Sequence, residues 1–162
     1  MFRQTSISLF AFALLQAVSV SPASADAAFI KFLTGPWGQS TTSGEPVAEM
    51  IMKPGAPQFH RKSCPPEGVA LKDMVPNEVW FGTLPDQGFV RISMSGSGKP
   101  VPQQLTFQKM DGPDAALFGF TVNISAATLK VTRLSPNHIR VNSELGPMKR
   151  ESFYIRCKAL AS

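Results

Sequence analysis

Met50, Met52 and His60 form a candidate metal-binding set in this chain. Thioether and imidazole ligands together suit Cu(I), as in a copper carrier. Met50-Ile51-Met52 equally suits a strand that places two methionines in a core. Cys64 lies four residues after His60, and Cys157 is the second of 2 cysteines. A free thiol becomes a nucleophile when a base lowers its pKa, and His60 and His138 are the available bases. The alternative is one disulfide, Cys64 to Cys157, tying an early segment to the end of the chain. The export signal described next favours the disulfide, because oxidising compartments convert cysteine pairs to cystine. No Gly-x-Ser-x-Gly, His-Glu-x-x-His or Walker pattern is present, and the acidic residues are scattered rather than paired. A non-enzymatic protein without a cofactor is expected.

The N-terminus reads as an export signal over residues 1–25. Arg3 is the positive start, Ile7 to Val20 is an apolar run, and Ala23-Ser24-Ala25 is an A-x-A cleavage site after Pro22. The run is too short for a membrane anchor and no basic stop-transfer stretch follows. Periplasmic or secreted bacterial location is expected, with a mature chain of about 137 residues from Asp26 to Ser162. That length fits one domain with a real core. Losing Arg3 lowers the formal charge from +5 to +4.

With 17% charged residues, 12 Phe, 12 Gly and 14 Pro, the composition argues against disorder or a coiled coil and for many tight turns. From Asn77 onward the hydrophobic period is close to 2. The predicted strands are Glu78–Leu84, Phe89–Met94, Gln104–Met110, Leu117–Asn123, Thr128–Leu134, His138–Leu145 and Arg150–Lys158. Gly, Pro, Asn and Asp separate them at spacings of about ten residues, the mark of successive antiparallel hairpins. The strands predicted in the earlier half are Val47–Lys53 and Gln58–Lys62. Phe29–Leu33 reads as a single helical turn, Val69–Val75 as a short helix or loop, and Pro54–Pro66 has no assigned role. The predicted fold is all-β: an eight-stranded (eight or nine) antiparallel up-and-down barrel, whose closure removes exposed edges. Phe118, Phe120, Leu129, Val131, Ile139, Val141, Phe153 and Ile155 are assigned to its interior.

Gly35-Pro36-Trp37 after a short helical turn, with Arg156 near the end of the chain, resembles the lipocalin-like (calycin) barrels of secreted proteins. The resemblance implies that Arg156 packs across Trp37 and closes one end of the barrel, where a cation–π contact is expected. The chain also resembles small periplasmic inhibitors of bacterial metalloproteases, which are disulfide-bonded barrels with a Gly-x-Trp start. It implies action through the segment after Asp26 or the loop Gly96–Pro102.

The expected function is a binding module for a small apolar or amphipathic ligand or for a protein of the cell envelope. Trp37, Phe118, Phe120, Tyr154 and Arg156 are the candidate ligand contacts. Arg61, Lys62, Lys149, Arg150, Arg156 and Lys158 flank the cysteines, so a disulfide is expected to gather them into one basic patch able to meet anionic lipid. No stretch interleaves basic and aromatic residues, so no nucleic acid is expected.

Overall fold

The computed structural model describes residues 22–53, 56–94 and 98–160. Helix α1 (Pro22–Leu33) leads directly into β1 (Gly35–Ser40). An excursion outside the barrel follows, built from the hairpin β2 (Ala48–Lys53) and β3 (Ala56–Lys62) and a 3-10 turn at Leu71–Asp73. The chain then returns as β4 (Glu78–Leu84), β5 (Gly88–Met94), β6 (Pro100–Gln104) and β7 (Thr106–Met110). It finishes as β8 (Ala115–Val122), β9 (Ser125–Ser135), β10 (His138–Leu145) and β11 (Met148–Arg156).

Nine antiparallel strands form one sheet in the order β6-β5-β4-β1-β11-β10-β9-β8-β7, nearly closed as a barrel. The two edge strands are consecutive in sequence and separated only by Leu105. That residue is buried, and its N–H donates to the Phe89 carbonyl at 2.8 Å. One bent strand therefore pairs with β5 below the bend and with β8 above it, so the all-β barrel expected from the sequence has eight staves. The corner explains why Gln104–Met110 reads as one strand. Pro100 and Pro102 disguise β6 as a loop; proline fits there because β6 is an edge strand.

Two further boundaries differ from the sequence reading. The predicted turn at Phe29–Leu33 is the end of a 12-residue helix that begins at Pro22. Proline fits the first helical turn, where its missing N–H costs nothing. The apolar run Ile7–Val20 lies outside the described residues, and Ala23–Ala25 falls in the first turn of α1. The predicted link at Ile124–Ala126 contracts to Asn123 and Ile124, with Val122 paired to Ser125 and Asn123 at φ 55°. Asn tolerates this left-handed backbone better than most residues.

One half of the barrel interior is packed solid. Phe29 and Leu33 of α1 meet Trp37, Phe81, Phe118, Leu129, Val131 and Ile139, all buried. Phe89 stacks between Phe81 and Phe118 with centroids at 6.3 and 5.7 Å, and Phe107 meets Phe118 edge-on at 5.8 Å. Each such side chain contributes roughly 1.5–3 kcal/mol relative to exposure.

The outer surface is also dry along β4, β5 and β11. Val69, Leu71 and Met74 of the excursion pack with Trp80, Met94 and Cys157 in a second cluster. This second layer corrects the assignment of Phe153 and Ile155 to the interior. Their neighbour Tyr154 pairs with buried Ile139 and packs into the core, so Phe153 and Ile155 face outward. There Gly44 lies beside Ile155, and His138 meets the Phe153 ring at 6.0 Å. A strand covered on both sides loses the dry-and-wet alternation on which face assignment rests.

Candidate ligand-binding site

The barrel has a plugged end and an open end. At the plugged end the Trp37 indole N–H donates to the Leu33 carbonyl at 2.8 Å. Arg156, the cross-strand partner of Trp37, lies over its ring at 4.2 Å and over Phe32 at 5.3 Å. Its guanidinium donates to the Phe32 carbonyl and, at 3.1 Å, to the Thr34 carbonyl. A cation thus caps the C-terminal carbonyls of α1, where the helix dipole favours it. Burial holds the Arg156 guanidinium below its usual pKa. Arg156→Ala removes two charge-assisted hydrogen bonds and the ring contact, and is expected to cost about 2–3 kcal/mol. Lysine at this position restores only part, because it lacks the planar fork. Thermal melts of both variants check this ordering.

At the open end the inward positions turn polar. Gln39, Ser93, Arg91, Ser152 and Tyr154, with Arg150 at the lip, line a cup of about 260 Å³. None of its described lining residues is acidic. Arg91 sits opposite Phe81 on β4 and Gln103 on β6. Its Nη2 donates to Gln103 Oε1 at 2.8 Å, and its guanidinium stands 6.0 Å from the Phe120 ring centroid. Its buried Nε has no partner among the described residues. Burial lowers the Arg91 pKa; Tyr154 opposes this and the charge of Arg150 adds to it.

Beside the cup, β7 pairs with β8 from Ala116 to Gly119, leaving Phe120–Val122 facing β6 across a groove. Val101, Gln103, Phe120, Val122 and Ala127 line this space of about 870 Å³. Gln103 and Phe120 belong to the groove and both touch Arg91, so the groove and the cup share a wall. The lining is mixed, with Gln104, Gln108, Thr121 and Glu144 beside the apolar residues; Val101 is 47% exposed, Met148 64% and Ile124, at a hairpin tip, 97%.

The five candidate contacts separate. Trp37 and Arg156 come together at the plugged end, and Phe118 is sealed in the core. Phe120 lines the groove and Tyr154 the cup. Arg91, Gln103 and Ser152 were not singled out by the sequence. Arg91 lies in Phe89-Val90-Arg91-Ile92-Ser93, where Val90 and Ile92 are buried on the outer side and Arg91 shares the inward face with Phe89.

Cys64 and Cys157 form a disulfide, which overturns the free-thiol reading. A disulfide is consistent with an oxidising compartment, and no described helix is long and apolar enough to cross a membrane. Four of the basic residues that flank the bridge have contacts of their own. Arg61 is bound to Glu78, Arg156 to the barrel end, Lys149 to Glu144, and Arg150 turns toward the cup. Met50 pairs with Phe59 and Met52 with Pro57 in the β2–β3 hairpin. The side chains of Met50, Met52 and His60 lie outside the described residues. Gly96 lies outside them too, and Pro100–Pro102 of the loop suggested for protease inhibition belongs to β6.

The fold defines a small antiparallel barrel, plugged at one end and grooved at the other. No protein family, curated protein or solved structure matches the chain.

Proposed function

We propose that the protein is an exported, non-enzymatic binding module that takes a small amphipathic molecule in the groove between β6 and β8. The carrying observation is the groove itself: about 870 Å³ of space with Val101, Phe120 and Val122 on its walls and a polar cup alongside. Pockets of this size and mixed lining suit small ligands. The packed half of the barrel supports a mouth site rather than a central one, because Phe81, Phe118 and Leu129 fill the space below. The predicted leader and the disulfide support a role in the periplasm or outside the cell.

Native mass spectrometry of the protein purified from the bacterial envelope is expected to show a non-covalent small-molecule adduct. A bare protein that also binds none of a panel of single-chain amphiphiles overturns the reading. An envelope protein as partner is the second reading, for which the almost fully exposed Ile124 at a hairpin tip offers an apolar contact. Ile124→Ser would then release a co-purifying partner without changing small-molecule uptake.

A further inference from the structure

We propose that the cup is an oxyanion subsite, in which Arg91 and Arg150 hold the phosphate or carboxylate head of the ligand. This rests on the binding reading above and adds the chemistry of the head group. Arg91 projects into the barrel beside a second cation and no acidic lining residue. A buried charge is costly unless it is paired. Gln103 engages one arm of the guanidinium and the Phe120 ring stands beside it, which fixes the fork. Its buried Nε is left without a protein acceptor among the described residues. Arg91 borders the cup, and a guanidinium held in place there matches the oxygens of a carboxylate or phosphate. Tyr154, Ser152 and Ser93 supply hydroxyls around the same space, and Arg150 reaches it from the lip. A head group seated at Arg91 leaves its chain beside Phe120 at the groove, because the two spaces share that wall.

Calorimetric titration of the protein with decyl phosphate, decanoate, decyl maltoside and inorganic phosphate tests this. The two anionic amphiphiles are expected to bind roughly tenfold or more tighter than the neutral one, the difference made by one charged hydrogen-bond set. Arg91→Gln is expected to erase that preference, and Arg150→Gln to reduce it. Equal affinity for charged and neutral amphiphiles overturns the subsite and leaves the binding module standing. Inorganic phosphate binding as tightly as decyl phosphate supports the subsite and identifies a free oxyanion as the ligand, against the groove reading. No binding of any probe overturns both. If Arg91→Gln does not fold, the unmodified protein still decides: its preference for anions must fall as salt is raised, because the attraction is electrostatic.

Discussion

Replacing Cys64 and Cys157 with alanine is expected to lower the unfolding free energy by about 4–5 kcal/mol, the upper figure of the chain-entropy model for so long a loop. The bridge spans a sequence separation of 93 residues, so it constrains most of the unfolded chain. It also seats the excursion on the barrel. A Cβ at Gly38 would lie 2.5 Å from Ser63 Cβ and 2.7 Å from Cys64 Sγ, so residues 63 and 64 rest directly on β1. Without the bridge, that segment is held by Ser63, whose hydroxyl donates to the Gln39 carbonyl at 2.7 Å, and by the Glu78 hub. Urea denaturation should show the loss together with a steeper dependence on denaturant, since the open unfolded chain exposes more surface. Domains of this kind hold only about 5–15 kcal/mol in total, so the variant sits near the edge of folding. A loss below about 1 kcal/mol would contradict the role assigned to the bridge, given the loop-entropy scale.

Glu78→Ala is expected to cost about 3–4 kcal/mol, in the lower part of the range for breaking a buried ion pair. The Glu78 side chain is 0% exposed. Its carboxylate accepts from Arg61 Nη1 at 2.6 Å and Nη2 at 2.9 Å, and from the backbone N–H groups of Cys64 at 3.1 Å and Val75 at 3.2 Å. Truncation orphans both N–H groups and uncouples β3 from β4. The cost stays below the maximum because the Arg61 side chain is 32% exposed and can regain water. Arg61 also keeps its bond to the Asp73 carbonyl at 3.0 Å. A drop in Tm of roughly 6–16 °C follows from the usual scaling for domains of this size. The Cys64 contact couples this variant to the disulfide, so the combined loss should differ from the sum of the two. A melting temperature unchanged by Glu78→Ala would show that the excursion is held by other contacts.

The barrel staves were legible because most are bounded by turn residues and alternate in polarity, as in Thr128–Leu134 and His138–Leu145. The disulfide was legible from cysteine count and compartment. What stayed hidden has one physical source: the sequence does not say which outer faces are covered. Val90, Ile92, Phe153 and Ile155 carry the apolar character of their strands, yet they face away from the barrel interior. The positions between them, Arg91, Ser152 and Tyr154, line the cup. Glu78 read as one more scattered acid because its partner lies 17 residues away on another element. Pro100 and Pro102 hid β6 because proline signals a loop unless an edge strand is already known.

Amide shift mapping during titration of the isotopically labelled protein with decyl phosphate tests the open-mouth site most directly. The largest shifts are predicted at Gln103, Phe120 and Ala127 of the groove and at Arg91 and Tyr154 of the cup, with Trp37 and Leu33 at the plugged end unmoved. Shifts centred on the plugged end, or spread over the outer face of the barrel, would contradict it.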